Sequence, residues 1–416
     1  MLKGRFAWLL PLLRYGLCAV AILYLVSVVR WYDRARLTET GDHWYRVFER
    51  GADHYVIDRD GVRETVALDR VHHVEVGGRH VPEIELGIRS VVLGLNVGQA
   101  IWALALFIPV TLIQSGRLIV MLAIQGVRLG YWTCTKLTFA GNFFNFALPG
   151  TTGGDIFKAY YIAKYAQKKT EVVTTVFLDR AIGLLGLVFL AGGAIAFTRR
   201  PEQFSHLVAS LLIICGVLAA GALVLFSRRM RDFLHLRAIA ERLPLGEQII
   251  RVGRATVAMR DRKLLVLLAM LMTMVLQGLC MVSAAVMAWA IGMRGELTDF
   301  FIYCSIGFLI AAIPISPPQA IGVMEAAYVQ FFTAPPLSND ASQAVALALA
   351  VRLIQLFWAL PGLLVPLLGA HVPSEAELEA LQSEVAEVPA AIASPPPAGA
   401  PAARVGEAAT AAPGAR

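Results

Sequence analysis

The sequence predicts an all-α polytopic membrane protein: about six transmembrane helices plus two opposed re-entrant hairpins, or seven or eight full crossings, with a small β-rich insert between the first two helices. Composition is the first reason. Of 416 residues, 57% are hydrophobic and 16% charged, and mean hydropathy is +0.64, whereas a soluble chain carries about 25% charged and 45–50% apolar residues. The second reason is a set of apolar runs near the roughly 20 residues that a hydrocarbon core requires. The third is a pair of apolar segments broken by Pro and Gly in the same order of features. Cysteine use agrees, because Cys18, Cys134, Cys215, Cys280 and Cys304 lie in apolar stretches without metal-ligand or redox spacing.

The first run, residues 15–29, lengthens through residues 6–13 if Arg14 snorkels. Lys3 and Arg5 precede it as in a signal peptide, but no small-x-small cleavage site follows, so residues 1–29 are expected to be an uncleaved anchor. The run 91–113 carries no charge. The remaining runs are 173–197, interrupted by Asp179 and Arg180, then 207–226, 264–291, and 343–369, interrupted by Arg352. Six crossings place both termini on one side. With the N-terminus inside, the inner segments hold 22 Lys and Arg and the outer ones 13, which fits the enrichment of cytoplasmic loops in these residues. Cytoplasmic termini in the inner membrane are therefore expected, although Arg30, Arg34 and Arg36 directly after the first helix run against the rule.

Residues 30–90 differ in kind. HYVIDRDGVRETVAL alternates β-formers around Asp58-Arg59-Asp60-Gly61, and RVHHVEVGGRHV does so around Gly77-Gly78. Both are hairpin signals, and a small barrel or curled sheet follows. His43, His54, His72, His73 and His80 all fall here. Adjacent residues of a strand point to opposite faces, so His72 and His73 argue against a shared metal. The loop 227–263 carries ten basic residues; it suits either attraction of anionic headgroups or plain topogenic orientation. Nothing favours a nucleic-acid partner. Residues 370–416 open with a capping box at Ser374-x-x-Glu377 and then dissolve into a Pro, Ala and Gly tail. The core domain is accordingly drawn at 91–369.

The broken segments are where chemistry is expected. In residues 136–164, an apolar arm of 12 residues over 137–148 would rise about 18 Å, just past the middle of a core about 30 Å thick. Pro149-Gly150 stops it, Thr151 to Gly154 turn, and a second arm starts at Asp155 and ends in lysines. Residues 300–332 repeat the order with Pro314, Ser316, Gly322 and Glu325, and Ala159-Tyr160 and Ala327-Tyr328 mark the match. By parity the first hairpin enters from the cytoplasm and the second from outside. Such paired interruptions mark the substrate site of inverted-repeat transporters; two chance proline kinks are the plainer alternative.

A charged residue at a helix centre costs about 2.5–3.5 kcal/mol on insertion scales and is normally paired or functional. Asp179 and Arg180, adjacent on a helix, cannot satisfy each other. Expected partners are Arg352 for Asp179, and Asp155 or Glu325 for Arg180. Gly183, Gly186, Gly192 and Gly193 would let that helix pack closely.

At these residues the sequence resembles the transmembrane region of lysylphosphatidylglycerol synthases, a flippase-like family. GNFFNFALPGTTGGDIFKAYYIAK and TVFLDRAIGLLGL carry the resemblance, with IPISPPQAIGVMEAAY as a second match. The resemblance implies an inner-membrane protein handling lipid-linked cargo. It singles out Asn142, Asn145, Pro149, Gly153, Gly154, Asp155, Asp179, Arg180, Ser316, Gly322 and Glu325, to which the charge argument adds Lys158 and Arg352. In the second match Pro317-Pro318-Gln319-Ala320 replaces the expected glycines. Synthase members continue into a soluble transferase domain, which this chain does not show, so lipid synthesis is not expected of it.

The first functional expectation is therefore a flippase-like lipid transporter in which Lys158, Lys164, Lys168 and Lys169 gather an anionic or lipid-linked headgroup at the cytoplasmic entrance. No cofactor, metal or catalytic residue is assigned, and no P-loop is present. Two alternatives stand beside it: an intramembrane enzyme with Asp155 or Glu325 as general base, and a scaffold for envelope-biosynthesis proteins.

Overall fold

The computed structural model describes residues 9–41, 43–51, 53–76, 79–147, 153–164, 169–198, 262–312 and 320–367. Pro149, Ser316, Lys168, the Gly77-Gly78 turn, the run 207–226, nearly all of the basic loop and the tail from 368 onward lie outside the described residues.

Helix α1, Leu9–Val28, is apolar apart from Arg14 and a few small polar residues and leads into the insert. Strands β1 (Arg34–Arg36), β2 (Trp44–Arg50), β3 (His54–Arg59), β4 (Val62–Ala67) and β7 (Ile84–Glu85) form an antiparallel sheet in the order β4-β3-β2-β1-β7. The sheet is open, with β4 and β7 at its edges, so the curled-sheet alternative describes it better than a barrel. Strands β5 (His73–Val76) and β6 (Arg79–Pro82) pair as a separate hairpin. The predicted turn at Asp60-Gly61 is a two-residue connection between paired Arg59 and Val62. Both central residues have positive φ, 55° and 84°, as a type I′ turn demands. Alternation buries Tyr45 and Val47 on β2 and Tyr55 and Ile57 on β3 in a small core of their own.

Asp33 joins this sheet to the membrane domain. Its buried carboxylate accepts from the Gly87 N–H at 2.7 Å and the Ser90 hydroxyl at 2.9 Å, and is salt-bridged to Arg50. Gly87 lies so close to the Tyr32 backbone that any side chain there would overlap it.

The membrane domain opens with α2 (Ile88–Leu93), α3 (Val97–Leu106) and α4 (Ile108–Ile124). The sequence placed one span at 91–113; the structure breaks that run and shifts it. Asn96 caps α3 by accepting the Gln99 N–H at 3.1 Å, and Pro109 starts α4. The apolar span then runs from Val97 through Ile124, 28 residues, so Gln114 and Arg117 belong to the bundle and not to a loop. Next come α5 (Tyr131–Ala147), α6 (Gly153–Lys164) and α7 (Lys169–Phe197). After the undescribed stretch follow α8 (Lys263–Ala290), α9 (Leu297–Ala311), α10 (Val323–Thr333), α11 (Ala341–Ala359), and a short 3-10 turn (Leu360–Leu363) leading to α12 (Leu364–Leu367).

Four helices among the described residues are long and apolar enough to cross a membrane: Val97–Ile124, Leu178–Phe197, Lys263–Ala290 and Ala341–Leu363. Their outer faces stay apolar. Leu264, Leu267, Leu271 and Val275 on α8 and Leu353 and Phe357 on α11 are exposed, which suits contact with lipid.

α8 runs antiparallel to α3 and α4. At one end the Asn96 N–H donates to Ala290 O at 2.9 Å; at the other Arg262 donates to Ala123 O at 3.2 Å. These contacts sort the two shorter helix pairs. α5 and α6 start and finish at the Ala123 end, whereas α9 starts and α10 finishes at the Ala290 end, beside the insert. The two hairpins therefore open at opposite ends of the bundle.

Candidate functional site

Each hairpin is an antiparallel helix pair closed over a glycine. In the first, Phe144 of α5 meets Phe157 of α6 with ring centroids 4.3 Å apart, and the Gly154 N–H donates to Asn145 Oδ1 at 2.9 Å. A Cβ on Gly154 would overlap the backbone of Gly141, and one on Gly141 would overlap Lys158. In the second, Tyr303 of α9 stacks on Phe331 of α10 at 5.1 Å, and a Cβ on Gly307 would overlap the Tyr328 ring.

Counting along the helices gives the true register of the repeat. Gly141 and Gly307 are eleventh in α5 and α9, Asp155 and Glu325 third in α6 and α10, and Lys158 and Tyr328 sixth. Arg180 and Arg352 are each twelfth in α7 and α11. The Ala-Tyr pairs that suggested the match in sequence are thus out of step: Tyr328 corresponds to Lys158, not to Tyr160. What repeats is a function of position, an acid near the start of the second arm and an arginine on the next long helix.

The ion pairs follow this register. Arg180 donates to Asp155 Oδ2 at 2.7 Å, one of its two expected partners. Arg352 is salt-bridged to Glu325, so it does not serve Asp179 as the sequence reading had it. The partner of Asp179 is Arg117, whose Nε and Nη2 reach both carboxylate oxygens at 2.8 Å while Nη1 donates to Thr273 at 3.1 Å. Arg117 was missed because the predicted span stopped at Ile113. The apolar run of residues 118–124 beyond it was the available signal.

A cavity of about 330 Å³ lies between the hairpins. Asn142, Asn145, Asp155 and Lys158 of the first hairpin line it together with Asp179 and Arg180. The second hairpin contributes Phe308, Ala311 and Ala312. Asn142 also donates to Gln114 at 2.9 Å. Lys158 is buried rather than standing at an entrance, with Nζ 3.5 Å from Asp155 Oδ1. Lys164, by contrast, sits over the Tyr160 ring at 4.4 Å. Gly153 opens α6.

Gly322, Glu325 and Arg352 form a second group away from the cavity lining. Gly322 has φ +86° and its N–H donates to Glu325 Oε2 at 2.8 Å, so the carboxylate caps α10 as well as pairing with Arg352. Ala320 has a positive φ of 50°, a conformation that favours glycine. Of the glycines on α7, Gly186 packs against Thr273 and Gly183 faces Arg117, while Gly192 and Gly193 have no close neighbour among the described residues.

The family model of the lysylphosphatidylglycerol synthase TM region matches residues 83–362. No curated protein and no solved structure matches the chain. The matched region runs from the last strand of the insert through both hairpins and the cavity between them. The chain belongs to the lysylphosphatidylglycerol synthase transmembrane-region family, as a multi-pass membrane protein of lipid-related processes.

Proposed function

We propose that the chain is a flippase-like protein of the cytoplasmic membrane that passes the polar headgroup of a phospholipid or lipid-linked substrate through the cavity while the acyl chains stay in lipid. One observation carries the reading: two helix pairs opening at opposite ends of the bundle both line a single cavity that holds charged side chains. In transporters built from inverted repeats, discontinuous helices meet at such a midplane site. Broken backbone is tolerated at membrane depth only where it is covered by protein or lines a cavity.

The described lengths of the hairpin arms are 17, 12, 15 and 11 residues, each short of the roughly 20 needed to cross. We read both as re-entrant, among six crossings. Moving Arg117 into the bundle changes the inner count of basic residues only from 22 to 21, against 13 outside. Both termini stay cytoplasmic in this reading and the insert lies outside, where envelope-biosynthesis proteins are its natural partners. The role is transport rather than catalysis, because Asp155 and Glu325, the carboxylates that a general base would require, are each salt-bridged to an arginine.

The test is reconstitution of the full chain into liposomes holding a fluorescent phospholipid, with leaflet exchange followed by quenching from outside. Acceleration over empty liposomes is expected, reduced about tenfold in Arg180→Gln, in line with loss of one charge-assisted contact. Equal exchange with and without protein, for phospholipids and for a polyprenyl-linked sugar, would overturn the proposal.

A further inference from the structure

A headgroup can enter the cavity with its acyl chains left in lipid only through a sideways slot in the cavity wall. On two helices that wall is one residue thick. Phe107 lines the cavity while its neighbour Ile108 is exposed on the outer face. Trp358 lines the cavity while Phe357 is exposed. The two places meet, because the Trp358 indole Nε1 donates to Leu104 O at 2.9 Å and so joins α11 to α3.

Phe107 is also where the long span breaks. Pro109 has no N–H to return to Ala105 O. The chain tightens instead, with the Phe107 N–H donating to Leu104 O at 3.2 Å and the Val110 N–H to Phe107 O at 3.1 Å. Such a tightened turn inside a long helix is a place to bend. Counted from Val97, where α3 begins, it lies about 15 Å along the span, near the middle of a core about 30 Å thick. Toward the insert the seam is closed by α2, which packs on α11. At its other end Gly362, in the turn after α11, lies so close to the Phe139 backbone of α5 that a Cβ there would overlap it. Between these two clamps stands the indole bond, made to a carbonyl of the bending turn itself.

We infer that the cavity opens sideways to the bilayer through the seam between α11 and the break that joins α3 to α4, and that Trp358 is the latch of that opening. With the indole bond made, the seam is shut; with it released, bending at Phe107 to Pro109 parts the wall at mid-depth. Gln355, three residues before Trp358 and on the same helix face, lines the cavity, so an entering headgroup meets an amide just inside. This deepens the transport reading and rests on it for the passage of lipid. Trp358 is a positioning residue, since it holds the hinge and not the cargo.

The first experiment follows leaflet exchange by the full chain in liposomes, with one zwitterionic and one anionic fluorescent phospholipid. Trp358→Phe keeps a ring in the seam and removes the donor. Trp102→Phe, at an outward ring of α3 that is 70% exposed, is the control. Trp358→Phe should exchange lipid about fivefold faster, the scale of one neutral hydrogen bond, and its amides over 104–110 should exchange hydrogen faster. Trp102→Phe should match the parent in both. Unchanged lipid exchange in Trp358→Phe would overturn the latch, as would slower exchange with a lowered thermal midpoint, which is what a merely structural ring would give. The second experiment needs no variant: photolabelling of the full chain in nanodiscs by a phospholipid with a diazirine on its headgroup, mapped by peptide mass spectrometry. Label is expected on Phe107 and Gln355, the two flanks of the seam. Label on other cavity walls alone, or on none, would overturn the portal. If the parent accelerates no lipid yet both flanks are labelled, transport fails and the portal stands, and the latch is then decided by whether Trp358→Phe takes up more label. Lipid exchange with label elsewhere would do the reverse.

Discussion

The two hairpins share a skeleton and differ in what they mount on it. Both use a glycine on the first arm to admit the second, an acid at its third residue, and an arginine 25 or 27 residues farther on to meet that acid. Against the glycine, the first hairpin places Lys158 and the second Tyr328. Beside them the first has Asn142 and Asn145, the second Phe308 and Ala311. The acid and arginine pair is present in both halves, but only the pair of the first half lines the cavity. What only the first half adds is the buried lysine and the two asparagines. A second asymmetry is the Arg117 and Asp179 pair, because Val351 stands at the position of Asp179 on α11.

The largest expected effect tests that second asymmetry. Asp179→Asn leaves the Arg117 guanidinium buried without its carboxylate and should cost about 3–5 kcal/mol, seen as a lower thermal midpoint in detergent. The double variant Arg117→Gln, Asp179→Asn should recover part of the loss. A single variant as stable as the parent would mean that the pair is not what joins α4 to α7. Next in size are Gly141→Ala and Gly307→Ala. Each forces a Cβ into the opposing arm and should destabilise by about 1–3 kcal/mol as overpacking does; unequal costs would show that the two hairpins are not closed alike. Smaller still is Lys158→Tyr, which installs in the first hairpin the residue the second already uses. Stability should fall by about 1–2 kcal/mol, because a larger ring must fit against Gly141, while the acceleration of leaflet exchange is lost. Retained exchange would place the ligand chemistry elsewhere.

The smallest effect concerns the second half alone, where it meets the insert. Burial pushes Asp340, the residue before α11, up to about 6; the Leu86 N–H opposes the shift, Glu85 adds to it, and Arg50 and Arg294 oppose it. A carboxyl raised above its ordinary 3.8 favours the folded state when protonated, so its contribution is present at low pH and is lost as pH rises through about 6. After allowance for partial exposure the change is about 1 kcal/mol. Unfolding midpoints should fall across that window in the parent and stay flatter in Asp340→Asn. The first hairpin's loops hold no such group among the described residues, so its local protection from amide exchange should not follow this curve.

Local signals were read well from the sequence. The Asp60-Gly61 turn, the apolar α1 and the breaks after α5 and α9 all rest on backbone rules that act within a few residues. Arg180 was paired to Asp155 as one of two choices because an intramembrane cation needs a carboxylate and the two broken segments each supply one. What failed was anything decided by helix rotation or depth. Arg117 was assigned to a loop because hydropathy falls at Gln114 to Arg117 before rising again, and only the α7 and α8 faces show why a cation is tolerated there. The repeat was aligned on a shared Ala-Tyr dipeptide because composition catches the eye. Its physical register is set by where a glycine admits the opposite helix, and that is a property of two arms together.

Asp155 deserves a last consequence. It already stands between Lys158 and Arg180, so in the proposed transport an anionic headgroup would meet a resident competitor rather than bare cations. Competition would weaken the site, yet it would also supply a return stroke: once the headgroup left, the carboxylate would reclaim both cations, and neither would be stranded in a low-dielectric interior. A pathway works only if its stations hold cargo loosely enough to let go. Weak retention with rapid release is what this arrangement favours, and a tight complex would signal a store rather than a passage.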